Sequence, residues 1–107
     1  MANDYKNAKL DLTTTSVTTL YTAPAAKTAI FKSILVSEDS GNADTVTVTI
    51  TDASAAIFSL FKVKAVAANT AVELLSQPLV VETGEILKFT AATANRLHVV
   101  ASYLEVS

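Results

Sequence analysis

The feature that most constrains this chain is an unbroken run of β-branched residues, Thr45 to Thr51, in which threonine alternates with valine or isoleucine. Alternate residues of a strand point to opposite faces, so Val46, Val48 and Ile50 should share an apolar face and the threonines a polar one. β-Branched side chains pack better on a pleated sheet than on a helix. The run therefore predicts a half-buried β-strand.

Similar strand-sized runs recur along the chain and end at turn residues such as Pro24, Gly41 and Gly84. A spacing of about 8–12 residues between such runs is typical of a sandwich or barrel and not of alternating βα units. We predict an all-β fold, a single antiparallel β-sandwich that is jelly-roll-like, with seven or eight strands and an extended N-terminal arm. Residues 38–44 contain Gly, Asn and Asp and predict a hairpin loop.

Residues 53–68 permit two interpretations. Their content of Ala, Leu and Lys, with Asp52 or Ser54 as an N-cap, would suit a helix. Against this, the apolar and polar residues between Ile57 and Lys64 alternate as in a strand with two apolar faces. The strand is the favoured interpretation.

The start of the chain differs from the rest because it lacks periodicity. We predict an N-terminal arm and a first short strand in residues 1–12 and the sandwich domain in residues 13–107. Two interpretations of the start stay open: a frayed terminus, or an arm that lies on a neighbouring subunit with Tyr5 as its anchor. The start does not match a secretory signal, and no run reaches the roughly 20 apolar residues of a bilayer span.

Several strands carry apolar residues on both faces, although a sandwich strand normally needs only one apolar face. In the last strand, one face holds Leu97, Val99, Ala101 and Tyr103, and the other holds His98, Val100, Leu104 and Val106. In residues 29–36, Ile30, Ile34 and Val36 fall on one side, and Phe31 and Leu35 on the other. A small domain has one core, so the second set predicts an interface with other subunits, unless barrel curvature buries both faces.

The interface prediction names particular residues. The side chains expected to contact partners are Tyr5, Phe58, Leu60, Tyr103 and Leu104. The first partner expected is a further copy of the chain in a symmetric homo-oligomer, or else the other subunits of a larger assembly. Because the net charge is only −2, the chain has neither a basic patch for nucleic acid nor a polybasic face for a membrane.

Few residues of this chain could carry catalysis or bind a metal. There is no cysteine and a single histidine, His98, which lies in an apolar strand. This composition excludes Cys–His nucleophilic pairs and His-rich metal sites within one chain. Glu82 and Glu85 are expected to be solvated turn residues, and the acidic loop 39–44 a plain turn and not a calcium loop. We therefore predict a protein that is not an enzyme, with no cofactor, no metal and no small-molecule substrate.

The order of the motifs is more informative than any single one. Thr18–Pro24 is followed by Thr28–Ile34, then by Val46–Asp52 and Asn69–Leu75, and the chain closes with an apolar strand containing Ser102–Glu105. Over residues 14–107, this order resembles small β-sandwich virion proteins of tailed bacteriophages. The resemblance implies a structural protein without catalysis.

The resemblance leads to a specific functional expectation. It implies a capsid decoration (cement) protein at the surface of the virion, made in the host cytoplasm, which bridges subunits of the phage major capsid protein as a homotrimer. A neck or tail accessory protein is the alternative within the same class. A host-surface or glycan-binding module is the alternative from another class, although the chain has no tryptophan and only three tyrosines to form a sugar-binding platform.

Overall fold

The computed structural model describes residues 3–107, which form nine strands in two sheets. The strands are β1 (Asn3–Asp11), β2 (Thr18–Thr22), β3 (Thr28–Glu38), β4 (Asp44–Thr51), β5 (Ile57–Val66), β6 (Ala71–Glu73), β7 (Leu79–Val81), β8 (Ile86–Ala91) and β9 (Leu97–Val106). The first sheet has the order β1-β9-β3-β6, with β7 also paired to β3, and the second has the order β2-β8-β4-β5. All pairs are antiparallel. The predicted antiparallel β-sandwich is confirmed.

The strand order is that of a jelly roll. Apart from the β4–β5 hairpin and the β6–β7 connection, every link between consecutive strands passes from one sheet to the other. β7 pairs with Ala29–Phe31 and β6 with Leu35–Ser37, so they are two halves of one strand position beside β3. The nine strands therefore occupy eight positions, four in each sheet, as in a jelly roll. The predicted seven or eight strands agree with the eight positions in the two sheets, whereas residues 3–107 contain nine separate strands.

The core fills the space between the sheets. Its largest fully buried side chains include Phe31, Ile34 and Leu97 of the first sheet and Val48, Leu87 and Phe89 of the second. At one end, the rings of Tyr21, Phe31 and Tyr103 pack with centroids 4.8–5.3 Å apart. The alternation predicted for β9 is confirmed by the buried Leu97 and Val99, and that for β4 by the fully buried Val46 and Val48. It fails at the end of β4, where Ile50 is only partly buried and Thr51 is 7% exposed.

A β-bulge corrects the faces predicted for β3. The register with β9 shifts at Lys32, which is one extra residue on β3. The shift reverses the alternation, so Phe31 and Ile34 are both buried, whereas Ile30 and Leu35 lie on the outer face. Strict alternation predicts Phe31 on the same face as Leu35, and Ile30 on the same face as Ile34. It fails here because alternation does not reveal an extra residue in the strand.

The loop between β3 and β4 is not the hairpin that its turn residues predict. β3 and β4 belong to different sheets, so residues 39–43 cross the edge of the sandwich. The preceding residue, Glu38, is buried and accepts backbone hydrogen bonds from Gly41 (3.1 Å) and Asn69 (3.0 Å). Turn chemistry identified where the chain changes direction but not which strands it joins.

The favoured interpretation of residues 53–68 as a strand is confirmed, because a short turn leads into β5.

The segment predicted as an N-terminal arm with a first short strand is one edge strand from residue 3 onward. Residues 3–11 form β1 and pair with β9 in a continuous register. Ala8 and Leu10 pack against the core, and Leu12 directly after β1 is buried within it. The periodicity was hidden because most inward positions near the start are polar. Residues 1 and 2 of the predicted arm lie outside the described residues.

Candidate interaction surface

Four apolar side chains cross the outer face of the first sheet. Tyr5 lies opposite Leu104, Leu104 lies opposite Ile30, and Ile30 lies opposite Val80. Tyr5 and Val80 at the two ends are 77% and 49% exposed, and the two residues between them are partly exposed. Because directly opposite side chains of a sheet lie about 5 Å apart, these residues form one surface, which we call the apolar row.

The alternation of the strands forces the apolar row outward. Tyr103 on β9 and Val81 on β7 are buried in the core, so Leu104 and Val80 next to them must point to the other face. The exposure of these side chains is therefore a consequence of how the core is filled.

The outer face is otherwise mixed. The adjacent row is polar and consists of Asn7, Ser102 and Ser33. Beyond it, Val100 lies opposite Leu35, with exposures of 42% and 39%. The surface thus has one extended apolar row and one smaller apolar pair, with hydroxyl and amide groups between them.

The structure brings together only two of the five predicted contact residues. Tyr5 and Leu104 are direct neighbours in the apolar row. Phe58 lies on β5 at the edge of the second sheet and is 54% exposed. Leu60, also on β5, is half-buried and lines a shallow groove with Leu74, Leu75 and Leu79.

Tyr103 does not share the surface expected for it. Its side chain is 7% exposed and stacks on Phe31 at a centroid distance of 4.8 Å. The ring is therefore part of the core and leaves almost no area for contact with a partner. The sequence pattern already put Tyr103 on the same face as Leu97 and Val99, which is the face that the core occupies.

Sequence reasoning missed half of the apolar row. Ile30 was assigned to the face of Ile34, and the bulge moves it to the other face. Val80 lies in a run of three apolar residues that has no visible periodicity. The signal that could have found Val80 is the pairing of β7 with β3, which no local pattern reveals.

A buried carboxylate holds β1 onto the sandwich. Glu105 of β9 is 4% exposed, and its Oε1 accepts hydrogen bonds from Lys6 Nζ (2.8 Å) and Lys27 Nζ (3.3 Å). Its Oε2 accepts a hydrogen bond from the Tyr21 hydroxyl at 2.7 Å. These partners come from β1, β2 and the following loop, so one side chain links both sheets near the N-terminal end of the chain.

The charges of this cluster determine how it titrates. The hydrogen bonds from Lys6 and Tyr21 outweigh burial and lower the pKa of Glu105 to about 2. Burial, assisted by the nearby carboxylate, raises the pKa of Tyr21. The carboxylate is thus ionised and the phenol neutral at neutral pH. The buried ion has hydrogen-bonding partners on both oxygens, which suits a structural link.

The polar groups on the outer face do not form a compact reactive site. His98 Nε2 lies 3.3 Å from Asp11 Oδ1, and His98 Nδ1 lies 3.6 Å from Asp39 Oδ2. Within residues 3–107, no group of three or more His, Cys, Asp or Glu side chains has the geometry to hold a metal ion. Over the same residues, no helix has the length and apolarity needed to cross a bilayer.

Comparison with known proteins bears on the fold. No family model matches the chain, and no curated protein matches it. Among solved structures, the chain is similar to a protein of Bacillus endospore appendages, which are described as a novel family of disulfide-linked pili. The TM-score is 0.60, the alignment covers 99% of this chain and 87% of that chain, and the sequence identity is 10%. At this identity the likeness shows the fold alone.

Proposed function

We propose that this protein is a non-enzymatic structural subunit that binds other protein subunits through the outer face of its first sheet, and that it acts as a capsid decoration protein of a tailed bacteriophage. The observation that carries the proposal is the apolar row. Two of its side chains, Tyr5 and Val80, are exposed and the other two are partly exposed, although the domain already has a filled core. The phage assignment comes from the resemblance of the motif order.

The apolar row provides a physical mechanism for bridging. Burying a fully exposed large apolar side chain contributes about 1.5–3 kcal/mol, so covering the part-exposed row contributes a few kcal/mol in total. That is a weak contact for one subunit. On a shell that presents many equivalent sites, an oligomer of this protein could engage several at once, and the combined binding would be much tighter than one contact.

The likeness to the endospore-appendage protein concerns the fold and does not support the phage assignment. Those pili are described as disulfide-linked, whereas this chain contains no cysteine. Copies of this chain therefore cannot be joined by disulfides. The apolar row is a surface of the kind that non-covalent contacts between subunits require.

Counting the protein in particles tests the location. We expect hundreds of copies in each phage particle purified from the source of this sequence, measured by quantitative peptide mass spectrometry against the major capsid protein. Six or twelve copies would favour the neck or tail alternative. Absence of the chain from such particles would overturn the phage assignment.

Surface variants test the apolar row. We expect the double variant Tyr5→Ser with Val80→Lys to lose at least tenfold in affinity for undecorated shells, because it places a charge and a hydroxyl in the row. Val17→Lys is the matched control, since Val17 is 63% exposed and lies outside the row. Equal binding of both variants to shells would show that the row is not the contact surface.

A glycan-binding module makes a different prediction. It would require the purified protein to be retained on cells or glycan arrays in the absence of any shell. The homotrimer predicted from the sequence stays a prediction, and sedimentation of the purified protein measures it directly.

A further inference from the structure

The four free strand edges of the sandwich differ in how they are protected. β5 is interrupted by register shifts against β4, β2 is five residues long and also shifted, and β6 and β7 are three residues each. β1 is the exception, because its nine residues pair with β9 without any shift. Natural sheets usually protect long, regular edges against pairing with another chain, so an edge of this kind is suited to receive a strand.

The backbone groups on the outer side of β1 can be identified. The Leu12 amide donates to the Leu97 carbonyl at 3.0 Å, which places even-numbered residues of this segment toward β9. The backbone groups of a strand alternate in direction. The odd-numbered residues of β1 therefore direct their amide and carbonyl groups to the free edge, and they are Asn3, Tyr5, Asn7, Lys9 and Asp11. Of these groups, the Asp11 carbonyl already accepts a hydrogen bond from the Thr13 amide at 2.9 Å.

We propose that two copies of this chain pair through their β1 edges, antiparallel, about a two-fold axis at Asn7. Within residues 3–107, no other free edge matches β1 in length and regularity, so the edge that fits it best is β1 of a second copy. A two-fold axis normal to the sheet keeps outward side chains beside outward ones and pairs odd-numbered residues with odd-numbered ones. The two first sheets would then form one continuous sheet.

The side chains select this register among the neighbouring ones. Centring the axis at Asn7 uses all nine residues and places Tyr5 opposite Lys9 of the second copy, a contact that allows a cation–π interaction. Moving the axis to Lys6 would place the two Lys6 side chains opposite each other, and like charges in that position are destabilising. Moving it to Ala8 would shorten the pairing to seven residues.

The charges on β1 do not block the edge. Inward-pointing lysines commonly protect sheet edges, but Lys6 is already paired with Glu105 of its own chain at 2.8 Å. Asp4, Lys6, Lys9 and Asp11 sum to zero charge. In the register centred at Asn7, no two like charges are directly opposite each other.

Single-cysteine variants test the axis, because the natural chain has no cysteine. In Asn7→Cys, the two sulfurs would lie on residues with Cα atoms about 5.5 Å apart, within the range of a disulfide. In the matched control Lys9→Cys, the two copies of residue 9 are offset by four residues, about 13 Å along the strands. We expect at least tenfold more disulfide-linked dimer from Asn7→Cys than from Lys9→Cys under mild oxidation.

Sedimentation tests the same contact without cross-linking. We expect the natural chain to sediment as a dimer, Asn7→Ala to remain a dimer, and Asn7→Pro to become a monomer, since proline removes an amide that points to the free edge. Circular dichroism would show that Asn7→Pro is folded. A trimer of the natural chain, which is the assembly that the phage resemblance implies, would overturn the two-fold dimer. A monomer, or equal cross-linking of the two cysteine variants, would overturn it as well. These measurements need no shell, so their failure is distinct from failure of the proposed function.

Discussion

Replacing Glu105 by glutamine tests whether this buried carboxylate links β1 to the rest of the sandwich. The substitution keeps the size of the side chain and its ability to accept a hydrogen bond from Tyr21. It removes the negative charge that Lys6 and Lys27 face at 2.8 and 3.3 Å. We expect Glu105→Gln to fold and to be less stable at pH 7.

The size of the expected loss in stability depends on how exposed each hydrogen-bonding partner of Glu105 is. A hydrogen bond to a charged group contributes about 1.5–3 kcal/mol, and one between neutral groups about 0.5–1.5 kcal/mol. The bond from Tyr21 is buried and should lose this difference, about 1 kcal/mol. The two lysines are 44% and 36% exposed, so solvent screens their pairing and we add little for them. We expect a loss of about 1–2 kcal/mol in the free energy of unfolding, or roughly 4–15 °C in Tm.

The stability difference between the two proteins should depend on pH. Because the pKa of Glu105 falls from 4.5 to about 2 on folding, its stabilisation is complete above pH 4.5 and is lost as the pH falls through 2. Urea unfolding of both proteins from pH 7 to pH 2 measures this. We expect the difference between the natural chain and Glu105→Gln to shrink steadily below about pH 4.5.

The control separates this effect from a general change of charge. Glu82→Gln makes the same chemical change on an exposed turn and should alter stability by less than about 0.5 kcal/mol. If Glu105→Gln matches this control at pH 7, or if its deficit persists unchanged to pH 2, the reasoning about the cluster is refuted.

Three further substitutions test local features of the fold by urea unfolding. Thr51→Val should raise the free energy of unfolding by about 1 kcal/mol, because within residues 3–107 the buried Oγ1 of Thr51 has no hydrogen-bond partner. An unchanged urea midpoint would contradict this. Val63→Asn should raise the free energy of unfolding by about 0.5–1 kcal/mol, since a φ of 53° strains a β-branched residue. Lys64→Asn is its control and should not raise the free energy of unfolding. Gly84→Ala should lower the free energy of unfolding by about 1 kcal/mol, because the φ of Gly84 is 83°. A variant as stable as the natural chain would show that alanine is not strained there.

The part of the fold that followed from the sequence was local. Alternation in β4 and β9 identified the inward faces, because a strand turns successive side chains to opposite sides whatever it pairs with. Turn residues marked where most strands end, since Gly, Asn and Pro restrict or permit particular backbone angles. The all-β class needed nothing more than these repeated local signals.

The candidate surface depended on contacts between distant residues. Tyr5 and Leu104 are far apart in the chain, and their adjacency comes from the pairing of β1 with β9. Ile30 joins them only because the bulge at Lys32 reverses the faces of β3. The sequence pattern showed surplus apolar residues but not which of them would meet.

By itself, then, the sequence determined strands, turns and the presence of more apolar strand surface than one core uses. The tertiary structure decided that the polar start is an edge strand, that β3 and β4 lie in different sheets, and that Tyr103 is buried while Leu104 is partly exposed. The physical reason is one of range. The direction of a side chain is set by its own backbone, whereas burial and strand pairing are set by residues that the fold brings from elsewhere in the chain.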